Sequence, residues 1–388
     1  MAPLEETWAD GVGIGADRLT LSHFGARPPG SPLAHESCMT QVLQVDAQQP
    51  EPELIAQAAA VIRQGGLVAF PTETVYGLGA NALSAAAVSR IFVAKERPEY
   101  DPLIVHIAEV PQLRVVAADV PEVLRELASV FWPGPLTLVM AKGPEVPREV
   151  TAGGETVAVR LPAHPVALAL IRAAGVPIAA PSANRFGRVS PTRAEHVLND
   201  LGGRVDLILD AGSTSVGVES TVLSLIAPVP TILRPGGVSR EALERVLGTV
   251  VMASQTVEDG GPLLSPGTTA KHYAPAARVI LYRGERNAVL ATMREAARQY
   301  LESGEKVGLL VADEDLESFA DLPLVRAGLG SLASLDAIAH RLYASLRGLD
   351  ASGVTMILAR DFGSAGLGLA IRDRLTRAAA GRVVIVDR

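Results

Sequence analysis

The sequence predicts an α/β protein: a twisted open mixed sheet with helices, followed by a smaller, parallel α/β domain of Rossmann or flavodoxin type. Three observations lead there. From about residue 40 to 250, amphipathic helical segments alternate with short apolar strands, and the last strands follow one another closely. From Arg278 a second, more regular strand–helix rhythm begins. Between the two, residues 249–276 are dominated by Gly, Pro, Ser and Thr, the composition of a linker. A chain of 388 residues also exceeds what one core ordinarily organises.

Taken in order, residues 1–38 are rich in Gly and Pro and read as a flexible extension, with Met39 offering a second start. EPELIAQAAAVIRQGG reads as an amphipathic helix closed by a glycine pair and followed by the buried strand LVAF. The stretch Phe70 to His106 then passes through hydroxyl-rich and glycine-rich turns, an alanine-rich helix ending near Lys95 and Arg97, and the strand LIVHI. PEVLRELASVFW (helix), LTLVMA and TVAVRLP (strands), HPVALALIRAAG (helix) and VPIAAPSAN (strand) follow. Ser190-Pro191-Thr192 is expected to cap a helix running through Leu198. The strands VDLILD, STVLSL and TILRP and a helix from Ser239 to Leu247 complete the first domain, expected over 39–248. A linker over 249–277 ends in KHYAP, and a domain over 278–388 closes the chain with three strand-like segments, each followed by a helix, and a final strand VVIV.

Composition narrows the function classes. A net charge of −7 and a pI near 5.6 give no bulk sign of nucleic-acid binding, so any anionic ligand must meet a local cationic cluster. The single cysteine, Cys38, excludes intramolecular disulfides and cysteine-based zinc sites and favours a reducing cytoplasm. No apolar run reaches the roughly 18 residues that spanning a bilayer needs, and a basic flank with an apolar run is missing from the N-terminus. Phosphate-loop, HExxH and GxSxG motifs are absent. GVGIG near Gly11 follows no strand, and DFG at Asp361 lacks the rest of a kinase.

What remains is a set of polar residues at strand ends between 70 and 236. Thr72 and Thr74 follow one strand; Arg160 and Arg234 terminate others; Ser182 and Asn184 follow a third. Taken singly each has a plain structural reading: Lys95 and Arg97 as cations offsetting a helix C-terminus, Ser190 as an N-cap, His106 as a core histidine, Arg160 as half of an ion pair. Together, three arginines, a lysine and several hydroxyls match what a nucleoside triphosphate needs without a phosphate loop, with magnesium bridging the phosphates.

The motifs PTETVYGLGANA, KxRP followed by PLIVHI, WPGPLT, TVAVRLPAHP, PSAN with a downstream SPT, GVEST and LRPG occur in this order. They resemble the YrdC-type threonylcarbamoyl-AMP synthases over about residues 40–250, and KHYAP with the C-terminal domain resembles the long, two-domain branch of that family. The resemblance implies a YrdC-like sheet and a nucleotidyltransferase acting on L-threonine, bicarbonate or CO2, and ATP with Mg2+, without a tightly bound organic cofactor. The product would pass to proteins that transfer threonylcarbamoyl to tRNA. It implies Lys95 and Arg97 as catalytic cations and a threonine pocket of Thr74, His106, Arg160 and Ala180. Arg97, Asp101, Thr156, Ser182, Ser190, Arg234 and Tyr273 would hold ATP, with KHYAP as a lid. Asp101 stands where the family often has asparagine, which puts its ATP contact in question. Two rival readings are an RNA-binding module of the same fold and a carbamoyl-phosphate-dependent relative; the lone cysteine speaks against the second.

Overall fold

The computed structural model describes residues 39–253, 265 and 272–386. The expected extension over 1–38 and most of the linker lie outside the described residues.

Two sheets are present. The first takes strands β1 (Gln41–Gln44), β2 (Val68–Phe70), β3 (Gly77–Asn81), β4 (Ile104–His106), β5 (Leu136–Ala141), β6 (Thr156–Arg160), β7 (Ile178–Ala179), β8 (Leu207–Asp210), β9 (Thr221–Ser224), β10 (Thr231–Arg234) and β11 (Val251–Met252). Their spatial order is β1-β8-β2-β3-β7-β4-β6-β5-β9-β10-β11, with parallel and antiparallel neighbours mixed as expected. Helices α1 (Pro52–Arg63), α2 (Ala85–Lys95), α3 (Leu113–Val116), α4 (Val123–Phe131), α5 (Pro165–Ala174), α6 (Ala194–Leu201) and α7 (Arg240–Leu247) connect them. The core is aliphatic and alanine-rich. In α1 the buried residues Ile55, Ala58, Ala59 and Ile62 recur at helical spacing and pack with Val166, Ala167, Leu170 and Ile171 of α5.

The second domain is a five-stranded, fully parallel sheet. It runs β12 (Arg278–Gly284), α8 (Arg286–Glu302), β13 (Val307–Val311), β14 (Val325–Gly328), α9 (Leu335–Ala351), β15 (Met356–Arg360), α10 (Gly368–Ala378) and β16 (Val383–Val386), in the order β14-β13-β15-β12-β16. The parallel α/β expectation holds here, with β14 as an edge strand that the sequence reading missed.

Three local expectations are corrected. GLGAN is not a turn but strand β3, paired antiparallel with β2. Its glycine has a steric reason: a Cβ on Gly79 would fall 2.8 Å from the Phe70 ring and 2.8 Å from Ile178 Cγ2. Second, α6 begins at Ala194, with Arg193 at the N-cap and no side-chain cap bond, so Ser190 is not its cap. Third, Val251–Met252 form β11 and pair with β10, so the first sheet extends into what reads as linker.

Polar ends of strands gather at one edge of the first sheet. His106 and Arg160 are register partners on the parallel strands β4 and β6, and Arg160 faces Thr137 near the start of the antiparallel β5. β9 enters β5 at the same end, with Thr221 opposite Leu136. The edge thus joins the C-terminal ends of β4 and β6 to the N-terminal ends of β5 and β9.

Candidate active site

A cavity of about 50 Å3 opens at that edge, lined by Thr74, His106, Arg160, Ala180, Ser182, Arg97, Arg234 and Tyr273 among others. These eight and Thr72, all singled out by the sequence, meet there. At roughly 10–15 Å3 per water, the space admits a few waters, the size of a small amino acid.

Arg160 is buried at the end of β6 and uses its whole fork. One nitrogen donates to Thr74 Oγ1 at 2.9 Å, Nε donates to the Gly134 carbonyl at 3.2 Å, and the other terminal nitrogen lies 2.7 Å from Glu73 Oε1. Both plain and functional readings of Arg160 therefore coexist: it is half of an ion pair and also faces the cavity. Thr74 is held in turn by Thr72, whose hydroxyl lies 2.8 Å from Thr74 Oγ1 and donates to the Val75 carbonyl at 2.6 Å.

His106 is buried, edge-on to Phe70, with Nδ1 3.2 Å from the Ile104 carbonyl. Burial first, and the Arg160 charge second, push its pKa down to about 3, so the ring is neutral near pH 7. The neutral ring carries one N–H, so one of its nitrogens donates and the other accepts. An unfolded histidine titrates near 6.5, so the unfolded chain binds the extra proton first and stability falls as pH drops from about 6.5 toward about 3. At pH 5 this one group costs about 2 kcal/mol. A His106→Gln variant should show a flatter dependence of denaturation midpoint on pH between 7 and 5. An unchanged slope would mean that the imidazole does not carry this linkage.

Arg97 reaches the cavity because α2 ends sharply. Ser84 caps its start by accepting from the Ala87 N–H, and Glu96 adopts a left-handed backbone at φ 55° that turns the chain. The Arg97 guanidinium donates to the Asp101 and Pro102 carbonyls at 3.1 and 2.8 Å and lies 2.9 Å from Asp101 Oδ1. Asp101 is buried and absent from the cavity lining. Burial pushes its carboxyl up while Arg97 pulls it back. Its role here is as the counter-ion of Arg97.

Lys95 is placed differently from the expectation that it meets phosphate. Its Nζ is buried, donates to the Ser182 carbonyl at 2.5 Å and also to the Asn184 carbonyl, and does not line the cavity. Burial, then the Arg97 charge, lower its pKa well below the usual lysine value. It pins the PSAN segment rather than facing a ligand, and that segment delivers Ala180, Pro181 and Ser182 to the cavity wall. Ser190 is likewise one layer back, donating to Glu219 Oε1 at 2.5 Å. Thr156 sits at the opposite end of β6 from Arg160, opposite Ala141, and is outside the lining. Arg234 ends β10 and donates to the Ser220 carbonyl at 3.0 Å.

Two acidic residues escaped the sequence reading. Glu73 sits between the two threonines already noted, and Glu219 lies within GVEST. The available signal was a carboxylate inside a motif otherwise made of hydroxyls and cations, which needs a buried arginine nearby. Glu219 is held at about 2: burial alone would raise it, but Arg374 and Arg234 lower it. His272 also lines the cavity, edge-on to Phe186 at 5.6 Å and to Tyr273 at 4.1 Å.

A family model described as telomere recombination, for the Sua5, YciO and YrdC proteins, matches residues 60–236. A second, described as the threonylcarbamoyl-AMP synthase C-terminal domain, matches residues 238–380. A threonylcarbamoyl-AMP synthase of Bacillus subtilis is 46% identical over 332 residues, covering 85% of this chain and 94% of the relative. This chain belongs to the two-domain threonylcarbamoyl-AMP synthase family. A relative of that name from Pyrococcus abyssi is 46% identical over 336 residues, covering 85% of this chain and 95% of its own. The crystal structure of P. abyssi Sua5 complexed with L-threonine superposes with a TM-score of 0.84 at 44% identity, covering 89% of this chain and 100% of that one. Among the described residues no helix of this family member is long and apolar enough to cross a membrane.

Proposed function

We propose that the chain is an L-threonylcarbamoyladenylate synthase, joining L-threonine, bicarbonate (or CO2) and ATP into threonylcarbamoyl-adenylate, diphosphate and water. Bicarbonate takes up a proton and loses water to give CO2, whose carbon the threonine amine attacks, giving up a proton to form a carbamate; where CO2 itself is supplied, no water is released. A carbamate oxygen then attacks the α-phosphorus as the bond to diphosphate breaks. The observation that carries this reading is one small cavity shared by an amino-acid-sized pocket and two arginines, in a chain 46% identical to synthases over most of its length.

In this reading Arg160 takes the threonine carboxylate with its planar fork, Thr74 and neutral His106 accept or donate to the amino-acid polar groups, and the Ala180 backbone closes the pocket. Arg97 and Arg234 face the triphosphate, with Ser182 alongside. Catalysis is positioning and charge stabilisation. Lys95, Ser190 and Asp101 act from behind, holding the groups that face the ligands, and Thr156 reaches only an extended nucleotide. Tyr273 and His272 belong to a segment that covers the site, keeping an unstable adenylate from water.

Among the described residues no group of three His, Cys, Asp or Glu is placed to hold a metal, and the Glu219 carboxylate is already taken by Ser190, Tyr343 and Arg374. In this reading magnesium enters on the phosphates of ATP, where it shields their charge. The product is the first intermediate of tRNA threonylcarbamoyladenosine formation, made in the cytoplasm and handed to the proteins that load it onto tRNA.

Purified chain with threonine, bicarbonate, ATP and magnesium should release diphosphate only when threonine is present. Threonine-independent release, or none, would overturn the reading. RNA binding without turnover would favour an RNA-binding module instead.

A further inference from the structure

Four strands set one row of residues across the first sheet. Arg160 on β6 faces Thr137 on β5, Thr137 faces Val222 on β9, and Val222 faces Arg234 on β10. Directly paired residues project to the same face of a sheet, so the two arginines flank Thr137. At about 4.8 Å per strand the backbones of Arg160 and Arg234 stand about 14 Å apart, with Thr137 between them. Thr137 alone in the strand LTLVMA carries a polar side chain, and it is fully buried. Packing does not call for a hydroxyl here, because valine has the same shape, suits a strand as well and buries no polar atom.

A buried hydroxyl must place its hydrogen on an acceptor. Among the described residues the Thr137 hydroxyl has one partner, Ser220 Oγ at 2.7 Å. The Arg234 guanidinium donates to the same Oγ at 3.3 Å and to the Ser220 carbonyl at 3.0 Å. If Ser220 donated to Thr137, the Thr137 hydrogen would be stranded inside the sheet. With Thr137 donating instead, Ser220 Oγ accepts twice and keeps its own hydrogen. Ser220 lines the cavity, so that hydrogen is turned toward whatever the cavity holds.

The backbone around Ser220 is pinned. The Thr221 N–H donates to the Pro135 carbonyl at 3.0 Å, the Gly237 N–H donates to the Glu219 carbonyl at 3.0 Å, and a Cβ on Gly236 would fall 2.3 Å from the Ser220 carbonyl carbon. What is left to settle is the hydroxyl rotor. We propose that Thr137 is a positioning residue: from behind the cavity wall it fixes the Ser220 hydroxyl as a donor to a negatively charged oxygen held between Arg160 and Arg234. This rests on the synthase reading above, in which that oxygen belongs to the carboxylate or carbamate of threonine or to the α-phosphate.

Threonine-dependent diphosphate release by the full chain, at subsaturating substrates, tests this in a double-mutant cycle. Ser220→Ala removes the donor and should lower the rate about 10²-fold. Thr137→Val keeps the strand packed but frees the rotor, and should lower the rate about tenfold, the worth of one oriented hydrogen bond. On the Ser220→Ala background it should cost less than about twofold more, because it acts only through the serine. Thr137→Ser returns the hydroxyl and should restore the rate to within about threefold of wild type. If Thr137→Val does not melt cooperatively, Thr137→Ala takes its place in the cycle. Calorimetric titration then assigns the oxygen, each result upholding the role of Thr137. Weaker binding of threonine alone places it on the carboxylate, and weaker binding of Mg–ATP alone places it on the phosphate. Both unchanged, with turnover still down, places it on the carbamate that forms only in the reaction. A wild-type rate in folded Thr137→Val, a full further loss on the Ser220→Ala background, or no rescue by Thr137→Ser would overturn the inference alone. Wild-type protein releasing no diphosphate with threonine would overturn the synthase reading and this inference with it.

Discussion

Arg97→Ala will lower kcat/KM for ATP by about 10²- to 10³-fold, the usual cost of removing one preorganised charge donor from a site of developing negative charge. The guanidinium is buried, already oriented by the Asp101 and Pro102 carbonyls, and lines the cavity, so no reorganisation precedes its use. The substitution also orphans the buried Asp101 carboxylate, which by itself costs about 3–5 kcal/mol. A loss of activity could then reflect unfolding. The control is the double variant Arg97→Ala with Asp101→Asn, which removes the stranded charge and should recover most of the denaturation midpoint while diphosphate release stays low. Normal turnover by a folded double variant would remove Arg97 from the phosphate-binding role. Asp101→Asn alone releases Arg97 from its carboxylate partner and should lower the KM for ATP a few-fold.

Much of the fold was legible because it is written in short-range pattern. The 3.6-residue spacing of Ile55, Ala58, Ala59 and Ile62 and the apolar runs at β5, β6 and β13 name their elements without reference to the rest of the chain. The arginines at 160 and 234 were legible for a related reason: each ends an apolar run, where a charge needs a partner, while Arg97 was read with Lys95 as a cation at a helix end. The failures are all long-range. GLGAN reads as a turn until Phe70 and Ile178 are seen to leave room for nothing larger than glycine. Lys95 reads as a free cation until the carbonyls of Ser182 and Asn184, 87 and 89 residues on, are brought to it. Glu219 has no visible partner until Arg374, 155 residues later, is folded against it. Pattern specifies elements; which buried charges answer one another depends on how the elements are stacked.

Arg160→Lys separates charge from shape at the threonine end of the cavity. Lysine keeps a positive charge to answer the buried Glu73 carboxylate, so the protein should stay folded, with a denaturation midpoint close to wild type. It cannot keep the fork, however. Arg160 reaches Thr74 Oγ1, the Gly134 carbonyl and Glu73 at once, and that three-way hold fixes the plane a substrate carboxylate would meet. A point charge on a flexible stem offers no such plane. Losing one charge-assisted bidentate contact is worth about 2–3 kcal/mol, so the KM for threonine should rise roughly 30- to 150-fold while the KM for ATP changes little. Position decides between the two ligands: Arg160 shares its register with His106 and its hydroxyl partner with Thr72, whereas Arg97 and Arg234 stand on other elements. A threonine KM left at the wild-type value would show that the carboxylate is met elsewhere, and an ATP KM raised in parallel would show that the two ends of the cavity are not distinct subsites.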